Sequence, residues 1–242
     1  MTTQLISLIT GANKGIGFEV ARQLATLGHS IIIGARDEAS GRQAAEKLRS
    51  NGHRAVHALI DVTDRVTADA AAKQIDIQFG RLDVLINNAG ISIDARTVPS
   101  KLGLDILRRT FETNAFGAVT MIQSMLPLLL RSEGARIVNV SSGLGSLTQN
   151  CDPEYEFAAV KLLAYNSSKT ALNAFTIQFS HELRNTNIKV NSADPGFTAT
   201  DLNGHRGTRT VEQAAKVIVH LATLPASGPS GGFFDENGPI AW

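Results

Sequence analysis

Apolar positions along the chain follow two patterns that alternate from beginning to end. Short runs that are apolar on both faces indicate strands buried in a parallel sheet, and these runs cover 5–10, 30–35, 55–60, 82–87, 136–141, 189–193 and 233–234. Between them, apolar residues at helical spacing predict helices over 15–27, 39–50, 66–79, 104–131, 155–184 and 211–224. The chain is therefore predicted to alternate strands and helices throughout.

This alternation predicts an α/β fold: one doubly wound, Rossmann-type domain with a mainly parallel seven-stranded sheet flanked by helices. No long linker, charge run or repeat interrupts the pattern, so residues 1–242 are expected to form a single domain. Two irregular loops, 143–154 and 197–210, each follow the carboxyl end of a predicted strand. Open α/β sheets bind ligands at that edge, so we expect both loops to border a site.

Composition narrows the choice of partners. The formal net charge is +1, which gives no reason to expect binding to nucleic acid or to an anionic membrane surface. Residues 1–7 lack the basic and apolar regions of a signal peptide, and the apolar stretches are too short to span a bilayer. Cys151 is the single cysteine, and the histidines show no metal-ligand spacing. We expect a cytoplasmic protein without a metal or an intramolecular disulfide.

The turn after the first predicted strand carries Gly11, Gly15 and Gly17, immediately before a predicted helix. Glycine permits the tight turn, close approach of a ligand to the backbone and close packing of helix on strand. The free N–H groups and positive dipole of the helix N-terminus suit a pyrophosphate. Alone, the three glycines also fit an ordinary βα turn. After the first strand of such a fold, they predict a dinucleotide site.

The end of the second strand indicates which nicotinamide cofactor binds. An NAD site places an acidic residue there to hold the ribose hydroxyls, whereas this chain has Ala35 and then Arg36. A guanidinium can bind a 2′-phosphate through paired charge-assisted hydrogen bonds, and Lys14 in the glycine turn would add a second charge. NADP(H) is therefore the predicted cofactor, although both cations also suit a solvated surface. A strand one residue longer would instead place Asp37 beside the ribose.

A candidate acid–base pair lies on the fifth predicted helix. Tyr165 and Lys169 are four residues apart, so their side chains share one face. The ammonium, together with an oxidised nicotinamide ring, should favour the phenolate and lower the tyrosine pKa from its usual value of about 10. Tyr165 would then act as general acid in reduction and as general base in oxidation. The other tyrosine, Tyr155, has Ala159 at the partner position.

Together these motifs resemble the short-chain dehydrogenase/reductase family over nearly the whole chain. The glycine turn reads Thr-Gly-Ala-Asn-Lys-Gly-Ile-Gly, similar to carbonyl-reductase members, and Asn-Asn-Ala-Gly follows the fourth strand at 87–90. The resemblance implies a reacting group of Asn114, Ser142, Tyr165 and Lys169. Ser142 would bond to the substrate carbonyl oxygen, and Asn114 would hold a helix kink and a water linked to Lys169. Alternatively, Ser142 is a turn serine and Asn114 caps a broken helix.

The resemblance also implies the cofactor contacts. Asp61 would contact the adenine amino group, although a helix-capping role is the alternative, and Val62 would lie against the adenine ring. The turn of Pro195 and Gly196 would lie beside the nicotinamide carboxamide. The expected cofactor-binding residues are Gly11, Asn13, Lys14, Gly15, Ile16, Gly17, Arg36, Asp61, Val62, Asn88, Ala89, Gly90, Tyr165, Lys169, Pro195, Gly196 and Thr198.

Two segments would set specificity under this resemblance. An insertion near 149–157 is longer than the equivalent segment of many family members and shorter than that of carbonyl-reductase relatives, where it covers a helix used for dimer contacts. A monomer and a homo-oligomer therefore both remain open. A substrate lid is expected near 197–210.

The predicted function is NADPH-dependent reduction of aldehydes or ketones to alcohols, or the reverse oxidation, on a small-molecule carbonyl or alcohol substrate. One alternative is reduction of a 3-oxoacyl thioester, which needs a basic docking surface for an acidic carrier; Arg206 and Arg209 are the candidates. Another is a non-catalytic NADPH-sensing protein. A protein of that kind would be expected to have lost the tyrosine, the lysine or the serine, and this chain keeps all three.

Overall fold

A computed structural model describes residues 4–94 and 97–242. Residues 1–3 and 95–96 lie outside the described part. The first of these ranges belongs to the N-terminal segment, residues 1–7, that is interpreted above as lacking the features of a signal peptide. The main elements are β1 (Ile6–Thr10), α1 (Gly15–Thr26), β2 (Ser30–Ala35), α2 (Glu38–Ser50), β3 (Ala55–Leu59), α3 (Arg65–Phe79), β4 (Val84–Asn87), α4 (Leu104–Phe111), α5 (Gly117–Leu129), β5 (Arg136–Val140), α6 (Leu147–Cys151), α7 (Leu163–Glu182), β6 (Lys189–Ala193), α8 (Val211–Ala222), β7 (Phe233–Asp235) and β8 (Gly238–Pro239).

One sheet contains all the described strands in the order β3-β2-β1-β4-β5-β6-β7-β8, and every neighbouring pair is parallel except β7–β8. The predicted fold class is confirmed, but the predicted count of seven strands is wrong. The eighth strand has two residues, Gly238 and Pro239, of types that are depleted in strands. It pairs because the Asp235 carboxylate accepts hydrogen bonds from the backbone of Asn237 and Gly238 and folds the chain back.

Two apolar cores lie on opposite faces of the sheet. Successive residues of a strand point to opposite faces, so Ile31 and Ile33 join one core while Ile32 joins the other. The first core packs the sheet against α1, α2 and α8, and the second packs it against α3 and α5. Strand order reverses between β1 and β4, which places a crevice at the carboxyl ends of the strands.

Two predicted helices differ from the structure. The segment 104–131 is interrupted by a π-helical turn, Glu112–Phe116, between α4 and α5. The segment 155–184 is helical only from Leu163, because hydrogen bonds from Ala158 to Tyr155 and from Val160 to Phe157 hold the preceding residues in turns. The apolar residues of 155–162 therefore contact the cleft described below rather than a helix face.

No helix within the described ranges 4–94 and 97–242 is long and apolar enough to cross a membrane.

Candidate active site

The turn between β1 and α1 has the conformation expected for a dinucleotide site. Gly11 and Gly15 have φ of +64° and +59°, in the left-handed region that favours glycine. A Cβ on Gly17 would lie 2.4 Å from the Asn88 Nδ2 atom, so only glycine fits there. No side chain caps the N-terminus of α1, and its first N–H groups remain free to bind an anion.

Thr10 and Asn88 join this turn to the end of β4. The Thr10 hydroxyl accepts hydrogen bonds from the backbone N–H groups of Asn88 and Ala89, at 3.0 and 3.1 Å. In return, the Asn88 amide donates to the Thr10 carbonyl at 2.9 Å. These contacts bring Asn88, Ala89 and Gly90 beside the glycine turn.

The residues after β2 resolve an alternative left by the sequence. Because β2 ends at Ala35, Arg36 follows the strand directly. Asp37 instead caps α2, accepting a hydrogen bond from Ser40 N at 2.8 Å. The Ser40 hydroxyl and then its backbone N–H hold the pKa of the Asp37 carboxyl below its usual value. Among the described residues, no acidic group forms an ion pair with Arg36. Arg36 and Asp37 both line the cleft, so the two differ in that Asp37 is engaged as a helix cap.

Lys14 has a partner that the sequence did not indicate. Its ammonium lies 2.5 Å from the carboxylate of Asp201, and both side chains are exposed. Asp201 belongs to the loop 197–210, which is closed at its base by hydrogen bonds from Ala199 N to Arg209 O and from Thr208 N to Phe197 O. The loop predicted as a lid therefore reaches across to the glycine turn.

The other expected cofactor contacts also line the same cleft. Asp61 lies there with its carboxylate bonded to the backbone and hydroxyl of Thr63, while Asp64 caps α3. Asn13 is tied to Ser40 at 3.2 Å, and Thr198 bonds through its hydroxyl to Gly196 O at 3.0 Å. The cleft lining includes Gly11, Asn13, Lys14, Gly15, Ile16, Gly17, Arg36, Asp61, Val62, Asn88, Ala89, Gly90, Pro195, Gly196 and Thr198.

Ser142, Tyr165 and Lys169 converge at the inner end of this cleft. Ser142 follows β5 and is half-buried in the cleft lining, whereas Ser141 is buried and donates to the Lys169 carbonyl at 3.5 Å. The Lys169 ammonium donates to the Val140 carbonyl at 2.8 Å and lies 5.7 Å from the centre of the Tyr165 ring. The cleft continues from there to the glycine turn.

The electrostatics of this group are dominated by burial. In the protein without ligand, burial raises the pKa of Tyr165 to about 12, and the opposing hydrogen bond with Ser142 only partly offsets it. Burial likewise lowers the pKa of Lys169 to about 8. Removal of both groups from water opposes their charged forms, and the lowering of the tyrosine pKa expected from Lys169 together with an oxidised nicotinamide stays a prediction for the complex with cofactor. At neutral pH, the phenol keeps its proton and can donate it.

Asn114 lies in the π-helical turn between α4 and α5, so the expected helix irregularity is present. Its side chain exchanges two 2.8 Å hydrogen bonds with the backbone of Ile91 and donates to the Ser168 hydroxyl at 3.0 Å. These contacts tie the loop after β4 to α7. The expected link to Lys169 through water stays a prediction; Gly90 lies between the two side chains.

Sequence reasoning missed Asp94, whose carboxylate is almost completely buried. It accepts hydrogen bonds from the backbone N–H groups of Ala164, at 2.6 Å, and Tyr165, at 3.2 Å. Helix α7 has no cap of its own, because Leu162 precedes it. Asp94 therefore supplies from a distant loop the acceptor that a helix N-terminus needs, at the turn that carries Tyr165. No local sequence signal identifies such a contact.

We expect Asp94→Ala to lower the free energy of unfolding by about 2 kcal/mol, since it leaves two N–H groups unpaired. We also expect it to reduce kcat about tenfold or more by shifting Tyr165. Urea unfolding and steady-state kinetics would measure both effects. Asp94→Asn, which keeps an acceptor oxygen, should recover part of each. Asp64→Ala removes the cap of α3, far in the chain from Tyr165 and with a side chain that is not in the cleft lining, and it should lower stability with little change in kcat; an equal loss of kcat there would exclude a positioning role for Asp94.

A single cleft of about 2260 Å³ is lined by the glycine turn, Arg36, Ser142, Tyr165 and Lys169, whereas Asn114 and Asp94 lie outside its lining. This exceeds the roughly 300–1,000 Å³ of a typical ligand pocket, so the cleft has room for a dinucleotide together with a substrate. The uncapped helix N-terminus suits a pyrophosphate and the unpaired Arg36 suits a further phosphate. The residues present therefore fit a nicotinamide dinucleotide.

Comparisons with known proteins agree with this arrangement. The family model described as short chain dehydrogenase matches residues 6–210. The chain is 38% identical over 227 residues to the short-chain dehydrogenase anuI of Penicillium roqueforti, covering 91% of this chain and 89% of that protein. It is 31% identical over 298 residues to salutaridine reductase of Papaver bracteatum, covering 97% and 95%. The second alignment is longer than this chain, so that reductase contains residues with no counterpart here.

Solved structures show the same similarity as the sequence comparisons. The NADPH-bound carbonyl reductase from chicken fatty liver superposes with a TM-score of 0.86 at 27% sequence identity, covering 100% of both chains. The family match spans most of the chain, and the relatives cover nearly all of it. The chain therefore belongs to the short-chain dehydrogenase/reductase family of oxidoreductases.

Proposed function

We propose that this protein is an NADPH-dependent carbonyl reductase that converts aldehydes or ketones to alcohols and can run in reverse. The observation that carries the proposal is the convergence of Ser142, Tyr165 and Lys169 at one end of a cleft whose other end holds the glycine turn and Arg36. A protonated phenol beside a hydroxyl is the arrangement needed to bind a carbonyl oxygen and to protonate it.

The choice of NADPH rests on charge. Arg36 follows β2 directly, has no ion-pair partner among the described residues and lines the cleft, while Asp37 is engaged as the cap of α2. A 2′-phosphate would neutralise the positive charge of this guanidinium, whereas a ribose hydroxyl would not. The bound NADPH of the similar chicken carbonyl reductase supports the same choice. Lys14 would contribute after exchanging Asp201 for the phosphate.

The proposed mechanism assigns each remaining step to a side chain. The reduced nicotinamide supplies the hydride when it is bound. Ser142 donates a hydrogen bond to the substrate carbonyl oxygen and stabilises the charge that develops there. Tyr165, protonated at neutral pH, delivers its proton to that oxygen. The Lys169 ammonium, held by the Val140 carbonyl, stabilises the resulting phenolate.

The walls of the cleft suggest a substrate with an apolar skeleton. Tyr155, Phe157 and Phe197 form a chain of edge-to-face rings, with centroids 5.7 Å apart in both pairs. This chain joins the insertion near 149–157 to the lid near 197–210. Aromatic faces favour the burial of rings and hydrocarbon groups, in keeping with the similarity to salutaridine reductase.

The alternative of a 3-oxoacyl thioester substrate gains no support from the lid. Arg209 forms an ion pair with Glu236, and the guanidinium of Arg206 donates to the Asn203 carbonyl. The arginines that could form the basic surface for an acidic carrier are thus largely bound to other groups of the protein.

A cytoplasmic location also belongs to this proposal and rests on the sequence features described above.

The proposal is tested by following the oxidation of NADPH by its absorbance with a panel of aldehydes, open-chain ketones and cyclic ketones, with NADH in parallel. We expect turnover of cyclic ketones with a clear preference for NADPH. Acyl-carrier thioesters serve as the comparison substrate; if they alone were reduced, the thioester alternative would replace the proposal. Tight binding of NADPH with no oxidation by any carbonyl would favour a sensing protein.

A further inference from the structure

Three polar side chains that the proposed mechanism does not use meet beside Ser142. A Cβ on the next residue, Gly143, would lie 2.5 Å from the Tyr155 hydroxyl, 2.9 Å from the Asp194 carboxylate and 3.0 Å from the Gln149 amide oxygen. A side chain at this position would therefore collide with all three. The three groups come from the insertion and from the end of β6, and they converge on one point next to the reacting group.

The hydrogen-bonding capacity of this cluster is not fully used. The amide oxygen of Gln149 is buried and has no partner among the described residues. The Asp194 carboxylate accepts from Gly196 N at 2.9 Å and is also hydrogen-bonded by the backbone of Gly143, which leaves further lone pairs on its two oxygens. A buried acceptor without a partner costs free energy, and a cleft is where a ligand can supply that partner. Tyr155 and Asp194 both line the cleft, whereas Gln149 lies beside them at Gly143 and is not part of the lining.

The negative charge of Asp194 is compensated only in part, by the nearby Arg209 and Lys169. Within the described part of the chain, Asp194 forms no salt bridge, because the nearby Arg209 pairs with Glu236. Burial raises the pKa of the Asp194 carboxyl, and the backbone of Gly196 and Gly143 opposes that rise. Burial and Asp194 raise the pKa of Tyr155 to about 12, so its hydroxyl keeps its proton. The cluster thus offers two acceptors and one neutral hydroxyl, a set that suits a hydrogen-bond donor.

We propose that Gln149, Tyr155 and Asp194 form a substrate subsite that binds a hydroxyl or protonated amino group carried by the carbonyl substrate. This inference rests on the proposed function and narrows it to amphipathic ketones. The donor group bonds to Gln149 and Asp194 while the carbonyl oxygen bonds to Ser142, one residue from Gly143. The rings of Tyr155 and Phe157 contact the apolar skeleton. Binding at both ends of the substrate holds its carbonyl toward Tyr165.

The test compares kcat/KM for cyclohexanone, 4-hydroxycyclohexanone and 4-aminocyclohexanone with NADPH. Because the subsite leaves a buried acceptor unpaired when the donor is missing, we expect the wild-type protein to favour at least one substituted ketone by about 10- to 100-fold. A larger preference for 4-aminocyclohexanone would indicate that an ionised Asp194 binds the protonated amine. A larger preference for 4-hydroxycyclohexanone would indicate that the subsite binds its ligand through neutral hydrogen bonds.

Variants assign the preference to the cluster. Asp194→Asn and Gln149→Leu should each bring the ratio of substituted to unsubstituted kcat/KM close to one, and thermal unfolding would establish that both variants fold. Glu156→Gln is the matched control, since Glu156 is an exposed carboxylate next to Tyr155; it should keep the wild-type ratio.

The possible outcomes separate this inference from the proposed function. Reduction of cyclohexanone with no advantage for either substituted ketone would overturn the subsite and leave the proposed function standing. An equal loss of preference in Glu156→Gln would attribute the effect to general charge and also overturn the subsite. If no carbonyl were reduced, the proposed function would fail and the subsite with it.

Discussion

Tyr165→Phe is expected to lower kcat for ketone reduction about 10²- to 10⁴-fold, the range over which a positioned general acid accelerates proton transfer. Phenylalanine keeps the ring that packs in the cleft and removes only the hydroxyl. The raised pKa of Tyr165, about 12 in the protein alone, strengthens this expectation for reduction, because the side chain is fully protonated at neutral pH. NADPH oxidation under saturating substrate measures the effect.

Two further measurements distinguish lost chemistry from lost structure. The midpoint of thermal unfolding should be nearly unchanged in Tyr165→Phe, and the dissociation constant of NADPH, followed by its fluorescence, should rise far less than kcat falls, since only one expected cofactor contact is lost. The deficit would then lie in kcat. A variant that retained most of the wild-type kcat would show that another group, or water, protonates the substrate oxygen.

Arg36→Ala is expected to lower kcat/KM for NADPH by about 10- to 100-fold while leaving kcat/KM for NADH nearly unchanged. The reason is the loss of charge-assisted hydrogen bonds to the 2′-phosphate, each contributing about 1.5–3 kcal/mol. Among the described residues, Arg36 forms no ion pair, so its replacement removes no other ionic contact of the protein. Steady-state kinetics with both cofactors, at one ionic strength, measure the preference, because surface electrostatics weaken with salt.

Arg42→Ala provides the matched control. Arg42 is an exposed arginine on α2 that pairs with Glu38 at 2.5 Å and does not line the cleft, so its removal should leave the cofactor preference unchanged. An equal effect in both variants would indicate a general loss of positive charge. Unchanged preference in Arg36→Ala would mean that the phosphate is held elsewhere or that NADH is the natural cofactor.

Several features of the site could be predicted from the sequence because their causes are local. Buried strands need residues that are apolar on both faces, and the turn after β1 needs glycine where φ is positive, as at Gly11 and Gly15. The end of β2 at Ala35 was predicted from the apolar run that it terminates. These constraints act between residues close in the chain, so the pattern of residue types carries them.

Other features depend on residues that only folding brings together. Asp94 caps a helix 70 positions away, and Lys14 pairs with Asp201 across 187 positions. The pKa of Tyr165 is raised because burial outweighs the opposing hydrogen bond with Ser142, and the depth of burial is a property of packing.

The sequence by itself determined the doubly wound fold, the edge of the sheet where the cleft lies and the residue types at its rim, since periodicity and turn geometry are short-range. The tertiary structure decided how α7 is capped, which partner Lys14 takes and that Gln149, Tyr155 and Asp194 meet at Gly143. Those outcomes depend on distances and on exclusion of water, and both are set only when the whole chain packs.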